Sequence, residues 1–180
     1  MSKLPKQYQW LDGEPGPRIL KEALKHYGVQ EAAGDADNRV ILQWAAEVGL
    51  ERVYKADSTA WCGLFVSYVA GEAGWEHAPR GNALWARNWL AWGTPVEVPM
   101  LGDVLIFDRG KGQGHVGLYV AEDSECYHVL GGNQSNAVNI KRIVKDRLLG
   151  ARRCRWRISQ PKNVRRVRLA STGAISKNEA

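Results

Sequence analysis

The chain has 180 residues, of which 44% are hydrophobic and 24% charged; this balance argues against a disordered chain and favours one globular domain. No apolar stretch is long enough to span a bilayer, and the first residues do not resemble a signal peptide, so we expect synthesis in the cytoplasm. The three cysteines, Cys62, Cys126 and Cys154, show no Cys-x-x-Cys spacing, which disfavours a disulfide framework or a zinc site. We expect no cofactor and no metal.

The positive charge is concentrated at the C-terminal end. The formal net charge is +6, and nine of the 25 lysines and arginines follow residue 151, where Glu179 is the only acid. We therefore divide the chain into a proline-rich, loosely packed leader (1–17), a folded body (18–155) and a basic tail (156–180). Such a tail either contacts a polyanion, such as nucleic acid, lipopolysaccharide or an anionic cell wall, or forms a solvated end.

The first half of the body predicts helices. Apolar residues recur at helical spacing over 18–27, over 40–48, after residue 60 and over 83–91. In the fourth of these segments Trp85, Trp89 and Trp92 fall on one helical face. Such a face is typical of a core or of the wall of a cleft, and aromatic rings also stack on sugars.

The second half predicts short strands. Apolar runs bounded by turn residues cover 104–107, 116–121, 126–130, 138–140 and 148–153. Strands at such short spacing pair antiparallel. Helices followed by such a sheet predict an α+β domain in which the N-terminal helices pack on one face of the sheet.

Cys62 is the candidate nucleophile. Asp57, Ser58 and Thr59 are candidate caps that place this cysteine in the first turn of the third helix, which ends near Gly74. The positive end of a helix dipole favours the thiolate, which is the attacking form of cysteine. A strand beginning near His115 supplies an imidazole that can complete a catalytic pair. The alternative is a small buried residue without a catalytic role.

Hairpin register predicts a third member of the site. If Tyr119 pairs with Val129, regular alternation places Asn133 opposite His115 on the same sheet face. An amide oxygen that accepts the imidazole N–H would orient the ring and fix its tautomer. Asn133 is therefore our first choice.

Two rivals for this third position remain open. A bulge at the glycines 131–132 would bring Gln134 to the histidine instead. His128 ranks third, because an odd offset from Asn133 directs its side chain to the opposite face of a regular strand.

Four segments together carry a resemblance to a known family. They are 61–66, around the cysteine; 101–107, with a Gly-Asp pair before a strand; 114–119, with Gly-His-Val-Gly; and 131–135, with Gly-Gly-Asn-Gln-Ser. This ordered set resembles the NlpC/P60 and CHAP cysteine peptidase superfamily, and within it phage-type peptidoglycan hydrolases with a papain-like fold. The resemblance extends over residues 18–140 and leaves the basic tail outside.

The resemblance implies roles for the candidate residues. Cys62 would be the nucleophile, His115 the base, and Asn133 or Gln134 the orienting residue. NlpC/P60 members usually place a histidine third, which keeps His128 as an alternative. The backbone amide of Cys62 would donate to the oxyanion.

The implied function is hydrolysis of a cell-wall amide, as in an endolysin. The cleaved bond would join muramic acid to alanine or lie within the peptide, and a monomer would act on peptidoglycan after release from, or delivery by, the cell. Nucleic acid is not an expected partner. Two alternatives are a papain-like toxin or acyltransferase acting on another amide, and a non-enzymatic wall-binding module.

Overall fold

The computed structural model describes residues 4–34, 36–75, 82–156, 159–171, 173–177 and 179. Three α-helices come first, as predicted: α1 (Arg18–Lys25), α2 (Arg39–Glu47) and α3 (Cys62–Glu72). Short 3₁₀ helices cover Lys6–Gly13, Ala86–Ala91 and Lys145–Arg147. Within the described ranges no helix is long and apolar enough to cross a membrane.

Helix α3 begins later than the candidate caps indicate. Its N-cap is Trp61, which makes no side-chain capping bond within the described structure. Asp57 instead accepts hydrogen bonds from the backbone amides of Ala32 and Asn38, both at 2.8 Å, and so ties together two loops. The helix ends as predicted, because Gly74 adopts a left-handed conformation with φ of 80°.

A seven-stranded sheet follows the helices, in the order β1-β6-β2-β3-β4-β5-β7. Its strands are β1 (Thr94–Val96), β2 (Val104–Gly110), β3 (Gln113–Glu122), β4 (Cys126–Gly131), β5 (Asn139–Val144), β6 (Leu148–Arg153) and β7 (Ile175–Ser176). All neighbours pair antiparallel except β5 and β7, which pair parallel. The α+β class is thus confirmed, and the five predicted strands form its centre.

The central strands are buried on both faces, which explains their continuous apolar sequences. Val104 and Ile106 of β2 belong to the main core with the helices, whereas Leu105 and Phe107 belong to a second cluster. Because side chains alternate along a strand, these two clusters lie on opposite faces of the sheet. Helix α3 packs against β3 at the centre of the main core.

The leader is packed more tightly than the sequence predicts. Tyr8 and Leu11 are buried and belong to the main core, and Trp10 packs against it. The hydroxyl of Tyr8 also lies 2.7 Å from Nδ1 of His128 on strand β4. The leader therefore contributes to the folded body.

The described part of the basic tail also folds onto the body. Arg166 pairs with Glu122 at 2.6 Å, and Arg165 pairs with Glu14 at 3.0 Å. The tail then forms strand β7 at the edge of the sheet. Over these residues the tail lies along the body, with Val164 and Glu179 buried and most of its other side chains exposed.

The tryptophan segment forms a 3₁₀ helix, so the prediction of an α-helix is wrong here. With three residues per turn, Trp89 and Trp92 lie on the same side, with ring centroids 5.7 Å apart and ring planes tilted by 53°, and both are buried. Trp85 precedes the helix and is 64% exposed. The three rings therefore do not share one buried face.

Candidate active site

Cys62 is the first residue of α3 and lies against the sheet. Its side chain is buried, with 5% of its surface exposed. The backbone amide of Val116 on β3 lies within hydrogen-bonding reach of the sulfur. The residue before that amide is His115, so the fold brings the predicted nucleophile and base to the same point of the molecule.

Two glycines allow the close packing around this sulfur. A Cβ atom at Gly63 would lie 2.2 Å from the carbonyl oxygen of Ala83, which shows how closely the segment before the tryptophans approaches the start of α3. A Cβ atom at Gly132 would lie 2.5 Å from the ring of Trp61. Side chains at either position would force the cysteine helix away from its neighbours.

His115 is oriented by an amide side chain. Its Nε2 lies 3.1 Å from Oε1 of Gln134, and both residues are buried. Nε2 of the same Gln134 side chain donates to the carbonyl oxygen of Asn139 at 2.6 Å, which turns Oε1 toward the histidine. The imidazole therefore carries its hydrogen on Nε2, and Nδ1 is the nitrogen that can accept a proton.

The regular register does not extend to Asn133. Tyr119 pairs with Val129 as expected, but strand β4 ends at Gly131. Asn133 is left-handed, with φ of 54°, and its buried Oδ1 has no hydrogen-bond partner among the described residues. The amide that contacts His115 is thus that of Gln134, because the chain leaves strand geometry before the predicted partner is reached.

His128 belongs to a different cluster. Its Nε2 lies 2.9 Å from a carboxylate oxygen of Asp123, and its Nδ1 contacts the hydroxyl of Tyr8. Asp123 also pairs with Arg142 at 2.7 Å. Both ring nitrogens are therefore engaged away from the candidate active site, as the odd strand offset predicts.

Burial determines the protonation state of the candidate pair. Desolvation raises the pKa of Cys62, although the amide of Val116 and the positive charge of Arg109 act in the opposite direction. Desolvation also lowers the pKa of His115 to about 4. At neutral pH the resting pair is a thiol and a neutral imidazole. The expected resting thiolate is therefore not formed, because burial outweighs the helix dipole.

Three further charged residues surround the histidine. Glu179 lies close enough for its negative charge to raise the pKa of His115, while Arg109 and Arg147 lower it. Sequence reasoning did not assign these residues to the site. The one available signal was Glu179 itself, the only acid in an otherwise basic tail.

In the described ranges, no three histidine, cysteine or acidic side chains are grouped so that they could hold a metal ion.

Comparison with families of known proteins gives one match. Residues 54–133 match the family model of the CHAP domain. The matched stretch includes Cys62, His115 and Asn133 and ends one residue before Gln134. No curated protein matches the chain.

Proposed function

We propose that the protein hydrolyses an amide bond of the bacterial cell wall, because residues 54–133 match the CHAP family model and CHAP domains are typically amidases or peptidases acting on peptidoglycan. The bond either joins muramic acid to alanine or lies within the stem peptide. Cys62 is the proposed nucleophile and His115 the proposed general base. Gln134 is the proposed positioning residue, in preference to Asn133 or His128.

One observation carries this proposal. The imidazole of His115 contacts the amide oxygen of Gln134 at 3.1 Å, on a strand whose next backbone amide lies against the sulfur of Cys62. A nucleophile, a base and a residue that orients the base are the three parts of a nucleophilic acyl-transfer site.

The proposed reaction proceeds through a thioester. Nδ1 of His115 takes the thiol proton while the sulfur of Cys62 attacks the carbonyl carbon of the substrate amide. The C–N bond breaks, and the departing nitrogen receives that proton from the imidazolium. Water then attacks the thioester with the imidazole as base, which releases the acid and restores the thiol.

Local backbone groups supply electrostatic stabilisation. Cys62 is the first helical residue, so its amide is not used within the helix and is available to the developing oxyanion. Because the resting pair is neutral, the proton moves as the sulfur attacks. The positive charge of Arg109 favours the thiolate formed in this step.

Digestion of purified peptidoglycan tests the proposal. Wild-type protein is expected to release fragments whose masses identify either free stem peptides or cleaved peptides, and Cys62→Ala is expected to release none. Cys126→Ser is the matched control, because it alters another buried cysteine and is expected to retain activity. If the wall stays undigested while the protein acts on another amide, a toxin or acyltransferase is favoured instead. If the protein binds the wall but releases no fragments, a binding module is favoured.

A further inference from the structure

The tail places a carboxylate beside the candidate active site. The side chain of Glu179 is fully buried, with 0% exposed. Its two oxygens accept hydrogen bonds from the two terminal nitrogens of Arg147 at 2.8 and 2.7 Å, and Nε of Arg109 lies 4.0 Å from one of them. A carboxylate held by a bidentate arginine and a second cation is the geometry of a ligand in a carboxylate-binding site.

The cationic half of this arrangement belongs to the body of the protein. Nε of Arg147 donates to the backbone oxygen of Asp108 on strand β2 at 2.8 Å, which holds the guanidinium to the sheet. The acidic half belongs to the tail, whose backbone oxygen at Glu179 accepts from the amide of Ser135 at 2.8 Å. Arg147 therefore has an anchor that does not depend on the tail.

Near Glu179 the tail is held to the sheet by a short edge strand. Its last strand, β7, has two residues at the edge of the sheet. Short edge strands are among the least stable parts of a fold. A segment of this kind can leave its site when another carboxylate competes for the arginines.

The position of the cluster connects it to the reactive groups. The charges of Glu179, Arg109 and Arg147 all act on His115, and that of Arg109 also acts on Cys62. Cys62 and His115 are only 5% and 1% exposed. The fully buried carboxylate of Glu179 is thus placed where its charge reaches the base of the candidate pair.

We propose that Arg147 and Arg109 form a subsite for a carboxylate of the peptide substrate, and that Glu179 occupies this subsite as an internal ligand until the substrate displaces it. This inference rests on the proposed function, because it assigns a substrate group to the same site. The inference adds a class of substrate: a peptide that bears a free carboxylate next to the cleaved amide. The apparent affinity for substrate is then the intrinsic affinity multiplied by the fraction of molecules in which Glu179 has left the subsite.

Alkylation of Cys62 tests the subsite without relying on hydrolysis. Iodoacetate carries a carboxylate and iodoacetamide does not, while both form the same S–C bond and release iodide. In Glu179→Ala we expect the ratio of the iodoacetate rate to the iodoacetamide rate to rise about tenfold over wild type, as for one charged hydrogen-bonded contact. Adding Arg147→Gln should return the ratio to the wild-type value, and peptide mass analysis separates Cys62 from the other cysteines.

Controls separate the subsite from a general opening of the tail. Arg166→Gln removes a different ion pair of the tail and should leave the ratio unchanged, and adding Arg147→Lys to Glu179→Ala should keep part of the increase while preserving the charge. If Glu179→Ala raises the rates of alkylation by both reagents equally, and Arg147→Gln has no effect, the tail only blocks access to Cys62 and the subsite proposal is overturned. An unchanged ratio in Glu179→Ala overturns it as well.

Hydrolysis then links the subsite to substrate choice. Glu179→Ala should lower KM about tenfold for a wall peptide with free carboxylates, and much less for the same peptide with these groups amidated. If all variants fail to hydrolyse either peptide while the alkylation ratio behaves as expected, the proposed function fails and the carboxylate site stands. If hydrolysis depends on Cys62 but Glu179→Ala lowers KM equally for both peptides, the proposed function stands and the subsite fails.

Discussion

Two cysteine and histidine neighbourhoods meet at this sheet, and they differ in how the histidine is held. His115 is on β3 and faces the start of α3 at Cys62, whereas His128 and Cys126 are both on the adjacent strand β4. At the first, Cys62 and His115 lie near Arg109 and a helix start, and the histidine is oriented by a neutral amide. At the second, Cys126 and His128 lie near Asp123, and all three are buried. Both histidines have a lowered pKa, since desolvation is the largest effect in each case.

The hydrogen bonds of the two histidines distinguish the candidate active site from the second neighbourhood. Desolvation raises the pKa of both thiols; near Cys126 the charge of Arg142 favours ionisation and that of Asp123 opposes it, whereas near Cys62 a backbone amide and Arg109 both favour it. His128 uses both ring nitrogens in hydrogen bonds to Tyr8 and Asp123. The second neighbourhood therefore joins the leader to the sheet and has no nitrogen left to accept a proton from a thiol.

The largest expected difference between the two neighbourhoods is in activity. Cys62→Ala and His115→Ala should each lower the rate of peptidoglycan hydrolysis by at least about 10³-fold, because a nucleophile and its base act as a unit. Cys126→Ser should stay within about threefold of wild type. Fragment release from purified wall measures the rate of hydrolysis. If Cys126→Ser is the inactive variant instead, the proposed difference between the two neighbourhoods is wrong.

The next effect is on stability and belongs to the second neighbourhood. Asp123→Asn leaves Arg142 buried without its counter-charge, so the free energy of unfolding should fall by about 3 kcal/mol. Asp108→Asn is the matched control, because its pair with Arg87 is partly exposed and its loss should cost far less stability. Urea unfolding measures the free energy of unfolding of both variants. Equal losses in the two would argue against a structural role of the second neighbourhood.

A smaller effect distinguishes the two candidates for the positioning residue. Gln134→Ala removes the acceptor at Nε2 of His115 and should lower kcat about 10- to 100-fold, whereas Asn133→Ala should lower it less than about threefold. Gln134→Glu restores an acceptor and should recover part of kcat. A larger loss in Asn133→Ala would assign the orienting role to Asn133 instead.

The smallest expected effect is a shift in pH dependence. With its pKa lowered to about 4, the imidazole of His115 stays neutral at pH 5, so the acid limb of kcat/KM should fall near pH 4 and not near the ordinary value of 6.5. Because the folded pKa lies below the unfolded one, protonation favours unfolding, and this histidine costs stability as the pH falls from 6.5 toward 4. NMR titration of the ring measures the pKa, with His115→Gln assigning the signal. A midpoint at 6.5 would mean that the ring is solvated.

The fold class was predictable because it depends on local patterns. The alternation and the turn residues between 104 and 153 predict five strands, each of which overlaps a strand of the structure, and the match of residues 54–133 to the CHAP family model agrees with the resemblance read from the same segments. The positions of Cys62 at a helix start and His115 on the facing strand follow from these patterns.

The contact between His115 and Gln134 was less predictable because it depends on a loop. Strand alternation favours Asn133, but left-handed residues at Asn133, Ser135 and Asn136 end the alternation. Periodicity carries no information beyond the last paired residue, Gly131.

The sequence by itself determined the order of helices and strands, the class of fold and the two residues proposed to carry the chemistry, since each follows from spacing within a short segment. Only the tertiary structure decided which amide meets the histidine, that the pair rests uncharged, and that Glu179 returns from the far end of the chain to lie beside it. Desolvation and ion pairing depend on groups that are distant in sequence, so both are set only when folding brings these groups together.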